Sequence, residues 1–509
     1  MLGLMPLQLA ASATLTFVVS LLCIFGLNNH ILTCLRIMRG CRSITLPKKM
    51  INLEEWPFVT IQVPTYNEGR IVTRLLESCL RVNYPPDKFE IIVVDDSNDE
   101  TINILRENER RYYPRIKVIH RDIRDGYKAG ALNEALKNSR GEFILVLDAD
   151  SVLPPDFLKK TIPLFLANEK LGFVQGSLRY LNEKESWLTR TLAFINDWFT
   201  HSLQSSLSKC GMIIGFMGHG GMFRKKALED VGGWMDDTIA EDLDIAYRLQ
   251  LRGWEALYSE DSISFEEVPP SYYSAVIRFK RHLKGPLQNL IKHGWSIIRH
   301  SGLSLSKKIE ALMQLAYSLV YPLGLICLAL TLLTYTILPK AVIDGFWLSM
   351  AGFMCSALIL TSLPCIALMI SPIPSFLIIL LASPLALFLF TKYRDFLGEI
   401  KRMDLGVIFG LTFFWYDNVL SCLSPIAEIL TGKRGEWVPT ERSLKKSIFL
   451  DGSRRVREAA LRIFASAILI LSFINILIAN LSLNSLGILL PAISWLCSAY
   501  LIMKREKTK

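Results

Sequence analysis

The sequence predicts a soluble α/β domain with a mainly parallel sheet, fused to an α-helical multi-pass membrane domain. Three observations carry that reading. Between about residues 55 and 270, short apolar runs of β character alternate with segments of helical spacing. Two of those apolar runs end in acidic clusters, where open parallel sheets place their ligands. Elsewhere the apolar residues gather into long charge-free runs, and 51% of the 509 residues are hydrophobic. The net charge of +10 lies largely beside the apolar runs, as expected for a cytoplasmic membrane face, and it calls for no nucleic acid. Ten cysteines without CxxC pairs imply neither a zinc site nor a disulfide framework.

Leu7 to Leu27 is a 21-residue run without a charge, followed by Arg36, Arg39, Arg42, Lys48 and Lys49. A cleaved leader would carry its charges before the apolar core. Residues 1–50 are therefore expected to be an anchor and basic linker, with the N-terminus outside and the following domain in the cytoplasm.

Residues 51–300 are expected to form the catalytic domain. Val59 to Val63 reads as a strand closed by Pro64-Thr65-Tyr66-Asn67-Glu68-Gly69, and residues 70–81 as a helix. Phe89 to Val94 is a second strand ending in Asp95-Asp96-Ser97, with helical spacing over 99–112. Ile116 to Ile119 is a third strand, and 128–138 another helix. Then comes FILVLDADSV, Phe143 to Val152, on which the domain turns. Asp148 and Asp150, at i and i+2, fall on one side of the strand tip. Hard oxygen ligands there suit Mg²⁺ or Mn²⁺ carrying a phosphate. Taken alone, such a pair is also an ordinary polar turn.

The ordered set VPTYNE, VVDDSNDET, GYKAGALNEAL, LVLDADS, FVQGSLRYLN, GFMGHGGMFRKKAL, GGW, AEDLDIAYRLQLRGW and EWVPTER resembles glycosyltransferase family 2, in its membrane-embedded cellulose-synthase-like and mannan-synthase-like branch. The likeness covers roughly residues 55–300 and loosely extends to about 445. It implies a GT-A nucleotide-sugar fold. It also implies that Pro64, Tyr66 and Glu68 line the nucleotide pocket, and that Asp96 with Asp95 holds base and ribose. Lys128 would reach the nucleotide, Asp148 and Asp150 the diphosphate and its metal, and Asp242, beside Glu241, would be the catalytic base. On the residues alone, Lys128 could be a solvated helix residue, Asp95 a turn residue, and Glu241-Asp242 a helix N-terminal acid pair.

The chemistry explains those residue types. A sugar hydroxyl displaces a nucleoside diphosphate from the anomeric carbon. A divalent cation can offset the leaving group's charge, and a carboxylate within reach takes the nucleophile's proton. Attack from the far side inverts the centre without a covalent intermediate. Asp148 and Asp242 lie 94 residues apart, so folding must join them.

Gly215 to Gly221, GFMGHGG, is where the family places a loop near the acceptor, and His219 is unusual there. The alternative is a flexible turn. The family's Gln-x-x-Arg-Trp motif corresponds to Arg278-Phe279-Lys280-Arg281-His282. Arg281 keeps the motif's Arg and can contact the pyrophosphate. Arg278 replaces the Gln, as in the glucosylceramide-synthase branch, and His282 replaces the Trp with a smaller ring that can carry charge. Residues 283–300 mix basic and apolar side chains, fitting either a helix at the membrane surface or one packed on the domain.

Residues 301–509 are expected to be transmembrane and interfacial helices. Ala311 to Leu338 and Gly345 to Thr391 are charge-free, the latter broken near Ser371-Pro372-Ile373-Pro374. Leu405 to Leu430 is amphipathic, and Ile463 to Met503 reads as a hairpin of two spans. Residues 310 and 432 both belong on the cytoplasmic side, so an even number of spans lies between them. Either 405–430 is interfacial and one stretch of 345–391 re-entrant, or all four stretches span.

The expected function is an inverting membrane glycosyltransferase moving a hexose from a UDP- or GDP-sugar to a lipid-linked or glycan acceptor at the cell membrane. One or a few additions are expected ahead of a processive β-glycan, because His282 grips a sliding sugar less than a Trp plane does. The rival of another class is a transporter or sensor with a nucleotide-binding domain. Charge within the long runs would favour the rival, and they contain none.

Overall fold

The computed structural model describes residues 13–26, 55–337, 405–432, 452–480 and 489–504, with isolated positions 10, 28 and 32. Seven strands form one sheet: β1 Val59–Thr65, β2 Phe89–Asp95, β3 Ile116–His120, β4 Phe143–Val146, β5 Leu171–Tyr180, β6 Gly221–Arg224 and β7 Glu255–Glu266. Their order is β3-β2-β1-β4-β6-β5-β7. β1 runs parallel to β2 and β4, β2 to β3, and β5 to β7, while β6 runs antiparallel to β4 and β5. Helices Ile71–Leu80, Thr101–Tyr112 and Tyr127–Asn138 separate the first four strands, within two residues of the expected spans.

The central strands are apolar throughout because both faces are covered. Ile61, Val63, Ile91 and Leu145 pack on Val72, Leu75 and Leu76 on one side. Ile144, Val146, Phe173 and Phe223 meet Ala129, Leu132, Ile245 and Ala246 on the other. Each such side chain contributes roughly 1.5–3 kcal/mol relative to exposure. The short β6 has a positional consequence. Gly221 sits opposite Val146. The glycine-rich loop entering an antiparallel strand thus lies beside the acidic turn leaving its parallel neighbour.

The 283–300 segment is the second half of a 28-residue helix, Tyr272–Arg299, capped by the Ser271 side chain. It packs on the domain and also offers an apolar face. Leu283, Leu287, His293 and Ile297 are buried, while Ile291 and Trp295 are 71% and 61% exposed. The approach is close at Gly285, where a Cβ would come within 2.5 Å of the Ala240 Cβ.

Beyond it, Leu305–Ala316, a short 3-10 turn and Val320–Ile337 follow in succession. Leu405–Ser421 and Leu423–Leu430 form a broken pair, and Gly452–Asn480 packs against Leu489–Met503. Among the described residues, two helices, Leu305–Leu333 and Gly452–Asn475, are long and apolar enough to cross a membrane by length and composition. Ala13–Gly26 and Leu489–Met503 are shorter apolar helices. The 345–391 run with its parity question, the basic linker, the EWVPTER stretch and the turn after residue 480 lie outside the described residues. Charge does occur among these helices. Arg462, just before the last charge-free run, holds Asp417 through two contacts of 2.7 and 2.9 Å, and both residues are fully buried.

Candidate active site

β4 delivers Asp148 and Asp150 to the edge of the sheet where the parallel strands end. The Asp148 side chain is 31% exposed, whereas Asp150 is buried. Lys128 opens the Tyr127–Asn138 helix, with Gly126 and Tyr127 at φ of 65° and 48° turning the chain into it. Its Nζ lies 2.6 Å from Asp148 Oδ1, donates to the Gly218 carbonyl at 2.8 Å, and is 3.9 Å from Glu241 Oε1. One ammonium therefore joins the KAG, DAD, glycine-loop and AED segments. Burial opposes its charge, but Asp148, Glu241 and Asp242 outweigh that and raise its pKa.

Glu241 and Asp242 begin the Glu241–Leu251 helix. Asp242 Oδ1 accepts from the Leu243 N–H at 2.7 Å. Burial, then the neighbouring Asp242, pushes the Glu241 carboxyl up to about 7. Burial also raises Asp242, against the opposing pull of Lys128, the Leu243 N–H and Arg281. Gly218 has φ of 88°, and a Cβ there would meet Asp242 Oδ2 at 3.0 Å, so the glycine loop closes directly over the carboxylate. That contact, rather than free flexibility, accounts for the loop.

Two loops form the other end. Asn67 N–H donates to Ser97 Oγ at 2.7 Å and Gly69 N–H to Thr101 Oγ1 at 2.8 Å, which staples the VPTYNEG segment, with Pro64, Tyr66 and Glu68, to the DDSNDET segment. Asp96 is gripped by Arg121, Nε to Oδ1 at 2.7 Å and Nη2 to Oδ2 at 2.6 Å. The Arg124 guanidinium stacks 3.6 Å over the Tyr66 ring. Asp95 is fully buried, with Oδ2 on His120 Nδ1 at 2.8 Å and Oδ1 accepting from the Ser97 N–H. Its carboxylate holds the turn from within, whereas Asp96 is held by Arg121.

On the acceptor side, Arg281 acts electrostatically on Asp242. Arg278 Nη2 lies 3.5 Å from Glu266 Oε1. His282 is exposed, in the same helix as Arg278 and Arg281. The two guanidinium groups disfavour a proton on its ring and lower its pKa, against the expectation of a ring that readily carries charge. His219 is buried between Ser151 Oγ, 3.3 Å from its Nδ1, and Glu266 Oε2, 3.1 Å from its Nε2. Burial disfavours its charge, but Glu266 and the Asp148 and Asp150 pair raise its pKa.

Among the described residues, no group of three or more His, Cys, Asp or Glu side chains gathers as a metal site. Asp148 and Asp150 supply two carboxylates, and Lys128 already places a cation on one of them. That fits Mg²⁺ or Mn²⁺ taking its remaining ligands from a diphosphate and water.

Four contributors escaped the sequence reading: Arg121, Arg124, Glu266 and Asp244. The charged run HRDIRDGYK before Lys128 could have signalled the two arginines. Asp244 stands two residues after Asp242; Arg248 is one turn along its helix, but its other partners are remote. It is fully buried, with Arg248 Nε at 2.7 Å, Lys292 Nζ at 2.7 Å and His293 Nε2 at 2.8 Å.

Comparison with known proteins follows the same outline. Residues 57–284 match the domain described as glycosyltransferase like family 2. The chain is 29% identical over 400 residues to glucomannan 4-beta-mannosyltransferase 7 of Arabidopsis thaliana, covering 76% of this chain and 65% of that protein. It is 33% identical over 296 residues to glucomannan 4-beta-mannosyltransferase 9 of the same plant, covering 57% and 55%. The chain thus spans between half and two thirds of the length of these curated relatives. A mannosyltransferase from Pyrobaculum calidifontis, solved with GDP-Man and Mn²⁺, aligns over 82% of this chain and 99% of its own, at 22% identity and a TM-score of 0.47.

Proposed function

Residues 57–284 are a glycosyltransferase family 2 domain of the cellulose-synthase-like, mannan-synthase-like branch, and from that premise we propose that the chain is an inverting hexosyltransferase using a nucleotide-diphosphate sugar. The observation that carries the reading is Lys128, whose ammonium bridges Asp148 on the donor side to Glu241 beside Asp242. Donor and base segments far apart in sequence share one site.

In this reading the base sits by Tyr66 and Arg124, with Asp96 held by Arg121. Lys128 and Arg281 face the diphosphate. A Mg²⁺ or Mn²⁺ held by Asp148 and Asp150 would offset the leaving group's charge. Asp242 accepts the proton of the acceptor hydroxyl as its oxygen bonds to the anomeric carbon. The bond to phosphate breaks with its electron pair, and the nucleoside diphosphate departs. Burial raises the affinity of Asp242 for that proton.

The relatives' names support a β-linked glycan as product. One or a few additions remain the second reading, carried by Arg278 and the smaller ring of His282. Either acceptor meets the domain at a membrane, since the apolar helices Leu305–Leu333 and Gly452–Asn475 follow it. We place the catalytic domain at 51–300, on the cytoplasmic side of a multi-pass chain. The transporter or sensor reading is set aside on the family 2 domain, and the charge found among the helices, Asp417 with Arg462, is a closed pair rather than an ion path.

The test is a panel of UDP- and GDP-hexoses with the purified protein in Mg²⁺ or Mn²⁺, followed by size analysis of radiolabelled product. Turnover that stops with chelator, and in Asp150→Ala, is expected. Full activity in chelator contradicts the metal role, and inactivity on every donor contradicts the reading.

A further inference from the structure

Two of the three residues by which the acceptor side departs from the family pattern, His219 and Arg278, meet on Glu266. Glu266 ends β7, with Oε2 3.1 Å from His219 Nε2 and Oε1 3.5 Å from Arg278 Nη2. His219 is 2% exposed and Glu266 6%, whereas the Arg278 side chain keeps 17% of its surface open. The same histidine reaches Ser151, the residue after Asp150, and follows Gly218, which abuts Asp242. His282 faces the same group of charges. The cluster therefore touches the Asp148–Asp150 turn on one side and Asp242 on the other, with Arg278 partly open.

A carboxylate buried between an imidazole and a guanidinium is costly to desolvate, and apolar side chains would fill the space more cheaply. Packing alone does not explain it. A guanidinium offers five N–H donors in a fixed plane, and Glu266 engages one nitrogen. The remaining donors suit the hydroxyls of a sugar.

Resting on the family 2 reading above, we propose that Glu266 is a positioning residue that bridges His219 and Arg278 and fixes the Arg278 guanidinium where it holds the hydroxyls of a polyhydroxylated acceptor sugar. The acceptor is then gripped at its edge by hydrogen bonds rather than on its face by an aromatic plane. Glu266 acts through Arg278, so its loss is felt in acceptor binding before it is felt in bond cleavage at the donor.

The experiment compares Glu266→Gln, Arg278→Gln and the double variant with the wild type. The probes are mannotetraose and cellotetraose, with UDP-glucose and GDP-mannose as donors. Donor hydrolysis without acceptor is measured beside transfer. Each single variant is expected to raise acceptor KM about tenfold or more, with a much smaller fall in kcat and in donor hydrolysis. The double variant is expected to match the worse single one, because both act through one group. An unchanged acceptor KM, or transfer and hydrolysis falling together, overturns the role of Glu266. Should Glu266→Gln fail to fold, Arg278→Gln at the partly open end decides by the same two readouts. A wild type inactive on every donor contradicts the proposed function itself and is recognised before any variant is compared.

Discussion

At the scale of single residues, the site is a problem in charge placement. Lys128 touches both the Asp148 turn and the acid pair. Replacing it with Met leaves Glu241 and Asp242 adjacent without that cation, so donor turnover should fall at least about tenfold, the effect of losing one charge-assisted contact. Steady-state kinetics on the best donor checks this. The Glu241 carboxyl, pushed up to about 7, gives a pH prediction with a definite sign. Between its ordinary 4.5 and about 7, the folded chain keeps a proton that the unfolded chain has released, so this group subtracts stability as pH rises through that window. Deprotonation of the pair frees the base. The rate should therefore climb with pH along an acid limb near 7 that belongs to the pair, and Glu241→Gln should move that limb lower. A pH–rate profile of both proteins measures it. Asp148, Asp150, Asp242 and Lys128 were legible in sequence because their motifs are contiguous. Glu266 and Arg121 were not, since each earns its meaning from a partner that only the fold brings near.

At the scale of elements, the acid-bearing helix Glu241–Leu251 is tied to the long helix Tyr272–Arg299 through Asp244. Lys292 and His293 hold one oxygen and Arg248 the other, while Arg248 also donates to the Val231 and Gly233 carbonyls at 2.8 and 2.7 Å. These bonds to His293, Arg248 and Lys292 outweigh burial and hold the Asp244 carboxyl down to about 2. The stabilisation is full above the ordinary 3.8 and is lost as pH falls toward 2. Asp244→Ala leaves buried cations uncompensated and should cost roughly 3–5 kcal/mol, visible as a drop in thermal midpoint at neutral pH that shrinks under acid. The first four strands were legible because burial on both faces writes them as apolar runs, whereas β5 and the mixed, half-exposed β7 were not read. β6 was not, because four residues entered from a glycine loop carry no period. The segment 283–300 left two readings open, and the helix packs one face on the domain, as the second reading had it, with Trp295 outward.

At the scale of the whole molecule, the helix that carries Arg278 and Arg281 is also pinned to the apolar helices. Lys280 pairs with Glu458, and Lys284 Nζ lies 2.7 Å from Glu428. Behind them, Asp417 and Arg462 close a buried pair. Asp417→Ala removes two contacts of that buried guanidinium, leaves it Glu458 and Ser421, and should cost about 1.5–3 kcal/mol, read as loss of folded protein extracted in detergent. The reach of the sequence is uneven here. Charge-free runs announce apolar helices, but a through-space pair such as Asp417 with Arg462 leaves no pattern along the chain. The central claim, that Asp242 is the base of a site whose donor end is built from other residues, has a direct measurement. Asp242→Asn and wild type are compared for nucleotide-sugar binding by calorimetry and for transfer with radiolabelled donor. The account predicts donor affinity within about threefold of wild type and a rate lower by roughly 10² to 10⁴. A folded Asp242→Asn variant that transfers sugar at the wild-type rate would contradict it.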